Sequence, residues 1–212
     1  MGNSSLNQKL SYIGVRIVNS KDNDSKSEWI DIEETIYDAT FEVENDSRLF
    51  LLLCSWVKIH GNYVVIEKFL KLQKKRESKW LIALAIFASS EGSHKWKRLI
   101  KKVDGQNSLS TAKAALQSIS YKGEVGVFSK YGFLIAKGSI RTRESDVATP
   151  KRLIKENQQY KNRLIFGANW RADIITAIQK GYENPYRITK AIGCSYPSAY
   201  NVFKDYNFAS GV

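Results

Sequence analysis

Apolar residues recur three and four positions apart through most of this chain, the spacing of helices that bury one face. Asp46 can start one such helix, with Leu49, Phe50, Leu53, Trp56 and Val57 turned inward and an end near Gly61. A second is predicted over about 63–75, with Val64, Ile66, Phe69, Leu70 and Leu72 as its apolar members, and a third over 78–88. A fourth carries Trp96, Leu99, Ile100 and Val103, and residues 108–120 read as a fifth. The run WLIALAIFA at 80–88 is too short to span a bilayer and reads as a buried helix. Short connections between these segments predict antiparallel neighbours in a helical bundle.

The period shortens at two places. Residues 9–18 are β-prone and predict an edge strand, ahead of a polar loop at 19–27 and an acidic segment at 29–44. Residues 125–128 and 133–140, separated by SKYG, predict a hairpin with bends at Gly126, Gly132 and Gly138. The polar stretch 141–150 breaks the pattern. It suggests a division into a helical domain at 1–145, with the hairpin near 125–140, and a second domain at 146–212. Pro150 can start a basic helix over 151–163, and 168–180 supplies another with Ile174, Ile175 and Ile178 inward and Gly181 as its stop.

Residues 184–204, NPYRITKAIGCSYPSAYNVFK, carry the most specific pattern. Asn184 can cap a helix whose first position, Pro185, needs no backbone donor. Ile188, Ala191 and Ile192 share its inner face, Thr189 is small enough for close helix approach, and Gly193 can take the positive φ that ends it. Ser195 can cap the next helix, with Pro197 still in its first turn. Ala199, Val202 and Phe203 then face inward, leaving Tyr196, Ser198, Asn201 and Lys204 outward and Tyr200 at the margin. The pattern I-T-K-A-I-G-C-S-Y-P-S-A-Y resembles the helix-turn-helix of bacterial transcription regulators, over about a fifth of the chain. It differs in having Pro197 early in the second helix and tyrosines where arginines are more common. The resemblance implies that the helix opening at Ser195 enters the DNA major groove.

Composition adds an electrostatic argument. Residues 1–57 hold 5 Lys/Arg against 10 Asp/Glu, whereas 58–212 hold 28 against 11, balances of −5 and +17. Such asymmetry suggests a polyanion-binding portion beside an acidic portion with another role. Arg187 and Lys190, with Lys151, Arg152 and Lys155 and further along Lys161 and Arg163, are candidate phosphate contacts. The cluster Asp31, Glu33, Glu34, Asp38, Glu42 and Glu44 reads as an exposed acidic face.

Chemistry-bearing motifs are sparse. Two cysteines, Cys54 and Cys194, provide no disulfide framework and fit a reducing cytoplasm, with Cys194 expected in the core. His60 reads as a helix C-terminal residue and His94 as a cap or surface residue. Gly138-Ser139 followed by Asp146 lacks the second carboxylate that a nucleotidyltransferase needs. No phosphate-binding glycine loop, activated nucleophile or metal-ligand set stands out, so neither enzymatic activity nor a cofactor or metal is expected. The polar N-terminus lacks an apolar signal core, and no membrane association is expected.

The expected fold is therefore mostly α with a small β-hairpin, an N-terminal bundle followed by a helix-turn-helix domain. The expected function is sequence-specific binding of double-stranded DNA by a homodimer, as a transcriptional repressor. Ser195, Tyr196, Ser198, Tyr200, Asn201 and Lys204 would face the groove. The run DSRLFLLLCSWVKIHGNYVVIEK at 46–68, with HKWKRL at 94–99 and the C-terminal helix pair, is similar to bacterial antitoxins paired with AbiE-type nucleotidyltransferase toxins. That resemblance implies promoter autoregulation, a cognate toxin as partner and a role in phage defence. A nucleic-acid-processing enzyme or accessory subunit, and a helical interaction module that binds no DNA, are the alternatives.

Overall fold

A computed structural model describes residues 5–17 and 29–211. Residues 1–4 of the polar terminus and the whole of the loop predicted at 19–27, with residues 18 and 28, lie outside that set, as does residue 212. The described chain is mostly helical. In order the helices are α1 (Leu6–Tyr12), α2 (Ile32–Phe41), α3 (Arg48–His60), α4 (Ile66–Lys75), α5 (Lys79–Ser90), α6 (Ala112–Lys122), α7 (Gly126–Ser129), α8 (Pro150–Glu156), α9 (Gln158–Phe166), α10 (Trp170–Gln179), α11 (Pro185–Ile192) and α12 (Tyr196–Ser210). None is long and apolar enough to cross a membrane.

The larger core forms around α5. Every residue from Trp80 to Ala88 is buried, as expected of a helix that is apolar on all sides and must be enclosed by others. Helices α2 and α3 and the 3₁₀ turn His94–Leu99 pack around it, supplying Ile36, Phe50, Leu53, Trp56 and Trp96. This core takes in Val147 within the polar stretch 141–150 and continues beyond it to Leu153 and Tyr160. A second, smaller core joins Ile174 and Ala177 of α10, Ile188 and Ile192 of α11, Cys194, and Ala199 of α12, with Trp29 and Trp170 packed against it.

Four local expectations are corrected. First, the predicted hairpin does not form. Residues 123–125 and 135–137 exchange two backbone bonds (Val125 N–H to Ile135 O, Lys137 N–H to Gly123 O), and pairing then stops. The backbone at 131–134 pairs with 103–107 instead, through Val103 N–H to Tyr131 O, Asn107 N–H to Gly132 O and Leu134 N–H to Asn107 O. This leaves 126–129 free to coil into α7. Gly132 is required there: its φ is +93°, and a Cβ would lie 2.3 Å from Val103 O.

Second, the β-prone run at 9–18 begins inside α1, which opens on a reciprocal Ser5–Gln8 capping box, and only Val15 bridges to Val147. Third, the segment around Trp96 is a 3₁₀ turn that ends at Leu99. Fourth, the predicted basic helix 151–163 is two helices. Asn157, buried and extended, ends α8 and caps α9 by accepting from Tyr160 N–H, while its amide donates to Tyr12 O. The break turns Tyr160 and Arg163 inward.

His60 is the last residue of α3, as expected, but it is buried. Its Nδ1 is 2.9 Å from Tyr160 Oη and its Nε2 2.9 Å from Ala148 O, so it joins α3 to the segments on both sides of α8. Burial holds the imidazole down to about 4, against a weaker upward pull from the Ala148 carbonyl. The neutral tautomer with Nε2–H donating to Ala148 O, and Tyr160 O–H donating to Nδ1, satisfies both contacts. The unfolded chain takes up this proton near pH 6.5 and the native state near 4, so the unfolded state binds more protons between those values. Stability should therefore fall as pH drops through this window, by about 3 kcal/mol attributable to this residue. Urea unfolding of wild type and His60→Gln at pH 7 and pH 4.5 checks this. A pH dependence that the substitution leaves unchanged would assign the effect to other groups.

Candidate nucleic-acid interface and the ion network behind it

The helix pair at the C-terminus is built from local capping chemistry. Asn184 Oδ1 accepts from Arg187 N–H at 2.9 Å, with Pro185 at the first helical position. Thr189 Oγ1 donates back to Pro185 O, and Gly193 ends α11 at φ +72°. A Cβ at Gly193 would meet nothing within 4 Å, so the demand for glycine comes from the backbone alone. Ser195 Oγ accepts from Ser198 N–H at 3.3 Å and opens α12, with Pro197 in its first turn. Ala199 is fully buried against α10 and α11. Cys194 is buried, and burial pushes its thiol up, away from reactivity.

The outward face follows the spacing argument except at two positions, where Ser198 is half-buried and Tyr200 is exposed rather than marginal. Tyr196 and Tyr200 are exposed and stack on each other, ring centroids 6.3 Å apart. Asn201 and Lys204 are exposed beside them, and Arg187 and Lys190 are exposed on α11, with Lys190 over the Tyr186 ring. Ser195 and Ser198 are tied to each other, their hydroxyls 2.7 Å apart. Lys151, Arg152 and Lys155 are exposed on α8, where Arg152 forms a pair with Glu156. That helix packs against α9, whereas α12 packs against α10 and α11, so the basic residues of α8 sit on a different helix pair.

Arg163 is corrected outright, because it is buried. All five of its guanidinium N–H donors are used: Nη1 and Nη2 on the two Glu33 carboxylate oxygens (2.6 and 2.8 Å), Nε and Nη2 on Asp173 (2.8 and 2.9 Å), and Nη1 also on Tyr63 O (3.0 Å). Beside it, the buried Lys68 ammonium contacts Asp31 and lies 2.5 Å from Asp173. Asp31 and Glu33 therefore leave the predicted acidic face: Asp31 caps α2 through Glu33 and Glu34 N–H, and Glu33 also accepts from Val65 N–H. Glu34, Asp38, Glu42 and Glu44 remain exposed, with Glu44 paired to Lys79.

Electrostatics within this network follow from the pairings. Burial works to raise the Asp173 carboxyl, but Arg163 and Lys68 outweigh it and hold the group far below its ordinary range. Burial likewise works to discharge Lys68, and Asp31, Asp173 and Glu33 together keep it firmly protonated. Asp31, Glu33 and Asp173 bring carboxylate oxygens within 4.8 Å of one another, close enough in principle for a cation. Each is already matched to an ammonium or guanidinium group, so these residues do not fit a metal unless Lys68 leaves.

Sequence reasoning missed how the bundle reaches the helix pair. Lys71 of α4 donates to Gly193 O at 3.2 Å and lies 4.7 Å from the centre of the Trp170 ring, while Lys68 lies 5.2 Å from the same ring. Lys74 and Lys75 follow Lys71 at helical spacing and are exposed, extending a basic stripe beside the turn. Periodicity placed α4 correctly as amphipathic. Only the long-range contact reveals what its polar face does.

No known protein family, curated protein or solved structure matches this chain.

Arg163→Met should leave Glu33 and Asp173 buried without their guanidinium partner and lower stability by about 3–5 kcal/mol. Adding Glu33→Gln should recover part of that loss, since fewer buried charges remain uncompensated. Denaturant melts of the single and double variants test this, and a single-variant loss below about 1 kcal/mol would contradict a structural role for the network.

Proposed function

We propose that this chain is a sequence-specific DNA-binding protein that inserts the N-terminal half of α12 into the major groove. It would serve as a transcriptional repressor acting on paired half-sites as a homodimer. The observation that carries this reading is the geometry of 184–204. Two capped helices meet at a left-handed glycine and bury one shared face, and the opposite face of α12 is exposed. The balance of +17 over residues 58–212 supports attraction to a polyanion. In this reading Asn201 and the tyrosines meet base edges, while Arg187, Lys190 and the Lys74–Lys75 end of α4 meet phosphates.

An antitoxin role is the narrower form of the same proposal. The acidic residues left exposed on and after α2, chiefly Glu34, Asp38 and Glu42, would then offer a surface to a basic protein partner. An enzymatic reading has less support, because the three buried carboxylates brought together among the described residues are each bonded to Lys68 or Arg163.

Fluorescence anisotropy with duplex DNA from upstream of the gene tests the proposal. Binding should prefer that sequence over scrambled duplex and weaken steeply with salt. Asn201→Ala should reduce the preference by roughly 5–100-fold, the discrimination of one bidentate base contact, with little change in non-specific binding. Arg187→Ala should instead weaken binding to all sequences and flatten the salt dependence by about one unit of slope. Equal affinity of the wild type for upstream and scrambled DNA would overturn specific recognition.

A further inference from the structure

Resting on that reading of α12, we infer that the protein selects A·T-rich half-sites and recognises thymine through its C5-methyl group. The argument is an inventory of the exposed face. Tyr196, Tyr200 and Lys204 lie four residues apart along one line of α12, and Pro197 and Asn201 lie along the next. Over the first two turns these positions offer two phenol rings, a proline and one carboxamide. Ser198 is committed to Ser195, and neither a guanidinium nor a carboxylate is present. Lys204 and Asp205 come only in the third turn, where Asp205 faces Arg171 of α10 at 3.8 Å.

Each base pair demands a different partner in the major groove. Guanine shows two acceptors, which arginine or lysine satisfies, and cytosine shows a donor, which a carboxylate satisfies. The leading turns of α12 carry neither. Adenine shows one acceptor and one donor, which the single amide of Asn201 matches in a bidentate pair. Thymine shows a methyl group, which needs apolar contact, and Tyr196 and Tyr200 supply most of the apolar surface on this face. Their mutual stacking limits the freedom that docking would otherwise remove, so the rings are presented as one unit.

Selection of the full-length chain on a randomised duplex library, followed by methyl deletion, tests this. The enriched sites should carry A·T pairs at their most constrained positions. Replacing thymine by deoxyuridine at those positions removes only the C5-methyl and should weaken binding about fourfold per contacted methyl, the partition value of one buried carbon. In Tyr196→Ser and Tyr200→Ser, thymine and deoxyuridine duplexes should bind alike. Both residues are exposed, and an unchanged thermal melt shows that these variants fold. Enrichment of G·C pairs at the constrained positions overturns the inference while leaving DNA binding intact, as does equal wild-type affinity for thymine and deoxyuridine. Tyrosine variants that bind every duplex as the wild type does also overturn it, and would point to the aromatic pair as a protein-docking surface. Failure to bind any duplex removes the inference together with the reading beneath it.

Discussion

A guanidinium group cannot be buried unless all five of its donors find acceptors, and Arg163 meets that condition. Its acceptors come from three separate places: Glu33 on α2, the carbonyl of Tyr63 after α3, and Asp173 on α10. Desolvating an ion costs several kcal/mol, so the network forms only where this geometry is met closely. Lys68 repeats the demand from α4, because the same Asp173 carboxylate must also serve the ammonium. One carboxylate thus ties α10 to two elements at once, and few other placements of the C-terminal helices would satisfy both cations.

The smaller core needs that support. Its six buried residues are modest in size, and a unit of three short helices closes little apolar surface without help. Trp29 and Trp170 cover it from the side of the bundle, and the lysines of α4 lie against the indole of Trp170. The exposed face of α12 is therefore held in a defined orientation to the bundle. In a dimeric DNA-binding protein, such an orientation would let contacts made between bundles set the spacing of the two recognition helices.

What could be read from the sequence was local. The caps, the left-handed glycine and the buried face of α11 and α12 all follow from residues within 21 positions of one another. The apolar α5 was equally legible, since a helix with no polar side has only one stable environment. What could not be read involved distant partners. Glu33 and Arg163 are 130 residues apart, and taken singly each looks like a solvated charge. His60 was legible as a helix end, but its burial was not, because its partner Tyr160 lies 100 residues away. The hairpin failed because residues 103–107 competed for its backbone, and the long basic helix failed because one asparagine, with no glycine or proline beside it, found both a capping role and a tertiary acceptor.

The separation between Glu33 and Arg163 also bears on the order of events during synthesis. Helix α2 leaves the ribosome early, with a carboxylate that belongs in the interior, and its guanidinium partner follows 130 residues later. Until then a native-like bundle would enclose Glu33 without the guanidinium from which its two carboxylate oxygens accept, which disfavours early closure. Contacts this far apart in sequence slow folding in general, because the loop must close before they are made. Only a chain that reaches α9 can supply the guanidinium that the Glu33 carboxylate is bonded to.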